Sequence, residues 1–194
     1  MRTLVLSLLL PLAVVGCQKA LPIAQVTSAL ATDPSITNGD VLAKRRAAGE
    51  DIPQLRGTAL VTVRAYHHEI VKSGTPKKKE IAGARCNLQS DGYTAQVQTP
   101  GQVRVPNYGY ASRLISVNCN AENHKTGYAS VKAYDATKSS RLGAGASGGL
   151  IGVVAVEIIN AADDVKNNEF EYSPAQVYMN RLGCENTKRG CRSN

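Results

Sequence analysis

The chain has 194 residues and a formal net charge of +8, which gives it room for one domain with a sizeable core and a basic surface. It has no Trp and one Phe, so eight Tyr supply nearly all of its aromatic surface. A positive charge of this size suits an anionic partner, but it also serves the general solubility of a basic protein.

The first sixteen residues have the layout of a secretory signal, with Arg2 as the positive charge and an apolar run over 4–15. That run is too short to stay in a bilayer as a spanning helix, and small residues follow it. The sequence Val14-Val15-Gly16-Cys17 resembles the bacterial lipobox, in which the cysteine receives a diacylglyceryl group and becomes the first residue. We therefore expect a signal peptide over 1–16 and acyl chains such as palmitate on Cys17, which together bind a membrane essentially permanently.

Residue 18 is Gln, and lipoproteins without Asp after the lipidated cysteine resemble those sent on to the outer membrane. We expect the chain in the cell envelope, on the periplasmic face of the outer membrane. An exported protein rarely meets nucleic acid, so nucleic acid is not an expected partner. Anionic lipid head groups, lipopolysaccharide phosphates, another envelope protein or a second copy of the chain are the expected ones.

Residues 17–56 show no sustained apolar periodicity, because Pro22, Pro34, Gly49 and Pro53 interrupt them at short intervals. A short helix is predicted over Asp40–Ala48, with Asp40 as its cap and basic residues in its last turn. This region is predicted to be a stalk that lifts the folded domain away from the lipid.

From Gly57 onward the pattern becomes β-rich, and a single domain is predicted over 57–180. Turn signals rich in Gly, Pro, Asn and Asp separate short runs of β-forming residues. The predicted strands are Thr58–Tyr66, Glu80–Leu88, Tyr93–Thr99, Gln102–Val105, Arg113–Asn118, Gly127–Tyr134 and Ala175–Asn180. Short strands at this spacing indicate a mainly β protein, specifically a small antiparallel β-sandwich.

Four cysteines follow Cys17, and in an oxidising compartment they favour two disulfides with three possible connectivities. The favoured connectivity is Cys86–Cys119 with Cys184–Cys191. The first bond would join the ends of two predicted strands, and the second would close a short loop in a basic tail over 181–194.

The segment 142–162 interrupts the β pattern with an apolar, glycine-rich excursion, predicted to be a helix or a hairpin. Gly145 with Gly149, and Gly148 with Gly152, have the GxxxG spacing that permits close backbone approach in a helix. Three interpretations stay open: packing on the sandwich, self-association, and insertion into the nearby membrane. The last is the weakest, because Glu157 interrupts a span that is already short.

Several short segments follow one another in a fixed order within residues 80–180: Gly83–Leu88, Asp91–Tyr93, Thr99–Val105, Leu114–Cys119, Gly127–Lys132 and Glu171–Pro174. In that order and spacing they resemble a group of small proteobacterial lipoproteins with a PEGA-like β-domain. The resemblance implies a PEGA-like sandwich, a bond between Cys86 and Cys119, and no catalytic residues. The chain departs from the group in its long segment 17–56 and in its tail 181–194.

Two sets of residues could suggest a metal site or a nucleophile, but their spacing does not favour either. His67, His68 and Glu69, with His124 as a third imidazole, invite a metal site, but adjacent strand residues point to opposite faces and cannot easily share one ion. Ser147 lies in no GxSxG motif, so nucleophilic catalysis is not expected either. The sequence therefore predicts solvated strand-end histidines, no catalytic residue, no metal and no cofactor.

Lys77, Lys78 and Lys79 follow Gly74-Thr75-Pro76 and are predicted to form a compact positive cluster at a hairpin tip. Such a cluster could contact phosphate head groups, although charges at a turn also deter edge pairing. The favoured function is a non-enzymatic envelope protein that scaffolds or binds a partner. Recognition of an anionic envelope ligand by the three lysines is the alternative, and an envelope hydrolase comes third.

Overall fold

The computed structural model describes residues 20–70, 74–140 and 165–184, together with the backbone of 191–192. The strands within these ranges are β1 (Gln25–Ser28), β2 (Leu30–Ala31), β3 (Thr58–Ile70), β4 (Pro76–Ile81), β5 (Arg85–Ser90), β6 (Tyr93–Gln98), β7 (Gly101–Pro106), β8 (Ile115–Asn120), β9 (Gly127–Val131), β10 (Ala133–Asp135), β11 (Phe170–Tyr172), β12 (Ala175–Tyr178) and β13 (Cys191–Arg192). An α-helix, α1, spans Ala43–Ala47, residues 136–140 are also α-helical, and short 3-10 helices span Gly109–Ala111 and Val165–Asn167.

The strands form two main sheets. Sheet 1 has the order β1-β7-β3-β12, with β4 and β13 also paired to the long β3, and sheet 2 has the order β2-β6-β5-β8-β9. Strands β10 and β11 form a separate antiparallel ribbon. Burial alternates along the strands of both sheets, and the buried residues of both join one apolar core. The predicted mainly β, sandwich-like fold is confirmed.

Most of the described strand pairs are antiparallel, as predicted, but three are parallel. Strand β1 runs parallel to β7, and both β12 and β13 run parallel to β3. Parallel neighbours need a connection of a dozen or more residues. The chain between these partners is long enough in each case, since β3 and β12 are separated by most of the domain.

Two predicted strands are each divided in the structure. The run Glu80–Leu88 splits at Gly83, whose φ of 73° bends the chain between β4 in sheet 1 and β5 in sheet 2. The run Gly127–Tyr134 splits because β9 pairs with β8, whereas β10 leaves sheet 2 to pair with β11. Alternating apolar residues continue across both bends, so the pattern alone does not reveal the change of sheet.

The predicted stalk over 17–56 is wrong from Gln25 onward. Strand β1 extends sheet 1 along β7, and β2 extends sheet 2 along β6. Leu42 and Ile52 lie in the core, with Leu42 only 1% exposed. The physical reason is that both sheets would otherwise present an unpaired edge, which these two short strands cover.

The helix predicted over Asp40–Ala48 is confirmed in position, but Asp40 does not cap it. Its carboxylate instead accepts a hydrogen bond from the hydroxyl of the buried Tyr108 at 3.0 Å and forms an ion pair with Arg46. Burial alone would raise the pKa of Asp40, but the hydrogen bonds from Arg46 and Tyr108 outweigh it and lower that pKa. Burial is also the main cause that raises the pKa of Tyr108 to about 12. This network ties residues 40–46 to the domain.

The bond between Cys86 and Cys119 is present, as predicted. The two residues lie directly opposite each other on β5 and β8, both within the core. Cys184 is also disulfide-bonded. The side chain of Cys191 is outside the described residues, so the pairing of Cys184 with Cys191 stays a prediction, although β13 places the backbone of Cys191 beside Glu69 of β3.

The glycine-rich segment 142–162 lies outside the described residues, and so do the predicted contacts of Gly145, Gly148, Gly149 and Gly152. Cys17 and the signal-like residues 1–16 lie outside them as well. Among the helical parts of the chain that are described, none is long and apolar enough to cross a membrane.

Candidate functional site

The chemically versatile residues of the domain gather at the end of β3. This end, His67–Ile70, pairs with β4 on one side and with β13 on the other. Side chains alternate along a strand, so His67 and Glu69 share one face while His68 lies on the opposite one. Two separate clusters result, one on each face of sheet 1.

The first cluster is a hydrogen-bonded series that we call the histidine chain: Glu69, His67, His124 and the main-chain carbonyl of Glu122. Nε2 of His67 lies 3.1 Å from Oε1 of Glu69, and Nδ1 of His67 lies 2.9 Å from Nε2 of His124. Nδ1 of His124 then lies 2.6 Å from the carbonyl oxygen of Glu122. A β-bridge between His124 and Arg181 holds the second imidazole in place beside β12.

Both ends of the histidine chain are hydrogen-bond acceptors, the carboxylate of Glu69 and the main-chain carbonyl of Glu122. Nε2 of His67 donates to the first and Nδ1 of His124 donates to the second. The contact between the two imidazoles is therefore internal to the histidine chain.

This geometry does not make a metal site. The two ring nitrogens of His67 face different partners on opposite sides of the ring, so Glu69, His67 and His124 do not converge on one point. Over the described part of the chain, no three His, Cys, Asp or Glu residues group closely enough to hold an ion. None of the hydrogen bonds found for either imidazole comes from a hydroxyl or a thiol, so a proton taken by His67 would activate no described nucleophile.

The surroundings of Glu69 are cationic. Its Oε1 lies 3.2 Å from Nζ of Lys79 and 3.8 Å from Nη1 of Arg181. Burial alone would raise the pKa of Glu69, but hydrogen bonds from Lys79 and His67 outweigh it and lower that pKa. For His67, burial is the largest cause of a lowered pKa, and the nearby charge of Arg181 adds to it, while Glu69 acts in the opposite direction.

The pKa of His67 predicts a loss of stability in mild acid. Because its folded pKa lies below the unfolded value of about 6.5, the unfolded state binds the proton more tightly. The contribution of His67 to the free energy of unfolding should therefore be complete above about pH 6.5. It should be lost as the pH drops through the folded pKa of His67. Urea titrations at a series of pH values should show this fall, and His67→Gln should reduce its slope.

His68→Gln is the matched control, since it changes the neighbouring histidine on the opposite face. We expect it to keep the wild-type slope. A His67→Gln protein with the same loss of stability below pH 6.5 as the wild type would contradict the assignment. Glu69 is separable in the same titrations, because the unfolded pKa of Glu lies near 4.3 and its contribution is lost only at still lower pH.

The second cluster lies on the outer face of sheet 1. Nζ of Lys78 is 3.7 Å from the ring centroid of Tyr66 and donates a hydrogen bond to Oε1 of Gln176 at 2.7 Å. The ring of His68 stacks on that of Tyr178 with centroids 5.3 Å apart. Lys78 is therefore already engaged by an aromatic face and an amide within the fold.

The predicted position of Lys77, Lys78 and Lys79 at a hairpin tip is wrong. All three lie within β4, opposite Glu69, His68 and His67 of β3 in that order. Since neighbours along a strand face opposite sides, Lys78 joins the outer cluster while Lys79 binds Glu69. The three ammonium groups do not form one compact positive cluster.

Sequence reasoning noted His67 and His124 but expected solvated imidazoles. In the structure, His67 is 8% exposed and has a hydrogen-bond partner at both ring nitrogens. The period-two spacing of His67 and Glu69 was a usable signal, because it places both on one face. Nothing in the sequence around Arg181 indicated that it would approach Glu69 from a different part of the chain.

Comparison with protein-family models, with curated proteins and with solved structures gave no match. The likeness to PEGA-like lipoproteins stays a prediction based on the order and spacing of residues. The chemistry of the chain itself is what bears on its function.

Proposed function

We propose that the chain is an exported bacterial lipoprotein, anchored to the outer membrane through Cys17, whose β-domain scaffolds or binds a partner without catalysis. The observation that carries the proposal is the buried bond between Cys86 and Cys119. Disulfides of this kind persist in oxidising compartments and are rare in the cytosol. An export signal over 1–16 and a lipidated Cys17 would deliver the chain to such a compartment.

A non-enzymatic role is supported by the state of the candidate groups. The histidine chain satisfies its own hydrogen bonds, and none of the hydrogen bonds found for its imidazoles involves a described hydroxyl or thiol. Cys86 and Cys119 are oxidised to a disulfide and cannot act as thiolate nucleophiles. What the domain offers to other molecules is therefore its outer surface.

An anionic ligand held by Lys77, Lys78 and Lys79 is the weaker form of this proposal. Lys78 and Lys79 already bind Gln176 and Glu69, so an anion would have to compete with internal partners. Lys77 is exposed, and within the described residues its ammonium has no hydrogen-bond or ion-pair partner, so contact with an anion would centre on it. One exposed ammonium contributes little in water.

Replacing Cys17 by serine tests the anchor. The sulfur of Cys17 is the atom that would carry the lipid, so Cys17→Ser should move the protein from the outer-membrane fraction to the soluble fraction of the envelope. Density-gradient separation of membranes followed by immunoblotting measures this. Gln18→Asp is the matched control, since it keeps the cysteine and should redirect the lipidated protein to the inner membrane. A Cys17→Ser protein that still sediments with outer membrane would overturn the anchoring proposal.

A further inference from the structure

The outward face of sheet 2 is covered by side-chain amides, and we call it the amide face. Strands β5, β6 and β8 each alternate between buried and outward residues. The outward positions include six amides: Asn87, Gln89, Gln96, Gln98, Asn118 and Asn120. Arg85 is the one formal charge among the outward residues of these three strands.

Strand pairing arranges these amides in rows across the sheet. Gln96, Asn87 and Asn118 are register partners on neighbouring strands, and the row ends at Tyr128 of β9. Nδ2 of Asn87 donates a hydrogen bond to Oδ1 of Asn118 at 3.3 Å. Neighbouring strands lie about 4.8 Å apart, so each row presents donors and acceptors at a regular spacing on the scale of one sugar ring.

The composition of the amide face is not that of the rest of the chain. With 23 Lys and Arg and 15 Asp and Glu in 194 residues, charged side chains are the ordinary way in which this protein solvates its surface. Asn is also depleted in β-strands, so local propensity does not favour it here. A neutral, amide-rich face therefore needs a reason other than folding or solubility.

Two adjoining depressions lie at the edge of the amide face. One has a volume of about 450 Å³ and is lined by Gln25, Asn87 and Gln96 among others, and the next has about 560 Å³ and extends to Glu122. Both are lined by Arg85, Gln98 and Asn120, so they form one continuous shallow groove. Each volume falls in the range of about 300–1,000 Å³ that is usual for small-ligand sites.

The chemistry of the amide face matches a sugar chain. A side-chain amide offers both N–H donors and a carbonyl acceptor. The acetamido and hydroxyl groups of N-acetylated sugars likewise carry both donors and acceptors, so each side can satisfy the other. Tyr128 is 75% exposed at the end of its row and presents a ring on which the apolar face of a sugar can pack. A face with one charge gives little attraction to a polyanion, which argues against a phosphate-rich ligand.

We propose that the amide face binds a neutral glycan of N-acetylated sugars, which lies along the row of Gln96, Asn87 and Asn118 with one end in the groove that Gln96 and Asn87 line. This assignment rests on the partner-binding part of the proposed function and does not depend on the lipid anchor.

The test is a calorimetric titration of the purified mature protein with chitohexaose, the neutral hexamer of N-acetylglucosamine. Asn87→Ala combined with Asn118→Ala removes two amides of the row and should weaken binding at least about tenfold. Gln102→Ala combined with Gln176→Ala is the matched control, because it removes two amides from the outer face of sheet 1. The control should bind within about twofold of the wild type, and melting temperatures verify that every variant is folded.

Several results would overturn the assignment. The first is that the wild type does not bind chitohexaose, and the second is that the amide-face variant binds it as tightly as the wild type does. The third is that the wild type binds maltohexaose, which lacks acetamido groups, as tightly as chitohexaose. Self-association through the amide face would also overturn it, seen as a dimer in sedimentation that the double variant abolishes while no sugar binds. Membrane fractionation tests the anchor independently, so failure of the glycan assignment is distinguishable from failure of the lipoprotein proposal.

Discussion

Replacing Cys86 and Cys119 together by alanine should lower the free energy of unfolding by about 4 kcal/mol. The bond spans a sequence separation of 33, and in the chain-entropy model the closed loop is what restricts the unfolded state. Both side chains are buried, at 1% and 0% exposure, so the smaller alanines would also leave space in the core. Equilibrium unfolding in urea, followed by circular dichroism, measures the loss.

The control for this experiment is the wild type unfolded with and without a thiol reductant. Reduction should destabilise the wild type by a large part of the same amount, whereas the double alanine variant should respond much less. A double variant within about 1 kcal/mol of the oxidised wild type would show that the sandwich does not depend on this bond. In that case the strand pairing of β5 with β8 would be sufficient by itself.

Gly127→Ala should destabilise the domain by about 1–3 kcal/mol through overpacking. A Cβ at this position would lie 2.6 Å from Cγ of Met179 and 2.7 Å from both the carbonyl oxygen of Tyr178 and Cγ1 of Val177. The carbonyl belongs to the backbone of β12 and cannot rotate away. Strand β9 of sheet 2 can therefore lie this close to β12 of sheet 1 only because Gly127 has no side chain.

The sign of the change in unfolding free energy distinguishes an effect of packing from an effect of intrinsic strand propensity. Alanine is ordinarily better than glycine inside a strand by about 0.5–1 kcal/mol, so propensity alone predicts a more stable variant. Ser130→Ala on the same strand is the matched control, since its side chain is exposed and its loss should change the unfolding free energy by less than about 0.5 kcal/mol. A Gly127→Ala protein as stable as the wild type would mean that β9 and β12 are less closely packed than the structure shows.

The strands were predictable because their signals are local, whereas the bond between Cys86 and Cys119 was one of three possible connectivities, favoured for its position at strand ends and implied by the resemblance to PEGA-like lipoproteins. Alternation of apolar residues with period two, and Gly or Pro at the turns, require only neighbouring residues to be read. Strands β1 and β2 have four and two residues, too few to show any period. They exist because β7 and β6 offer unpaired edges, which is information from residues far away in the chain.

The sequence predicted which residues belong to the candidate site but not how they contact one another. The sequence named His67, His124 and the three lysines, and the alternation rule separated His67 from His68. It could not bring His124 to His67, because that contact depends on the bridge from His124 to Arg181. It also placed Lys78 in a turn, although cross-strand pairing with His68 makes it part of β4.

Mass spectrometry of the protein extracted from membranes tests the central claim most directly. We predict an N-terminal peptide that begins at Cys17, with residues 1–16 removed and the mass of a diacylglyceryl thioether, plus an acyl chain, on that cysteine. Treatment of cells with globomycin, which blocks the lipoprotein signal peptidase, should replace this species with a lipidated precursor that retains residues 1–16. A mature protein that begins at another residue, or that carries Cys17 without lipid, would contradict the account.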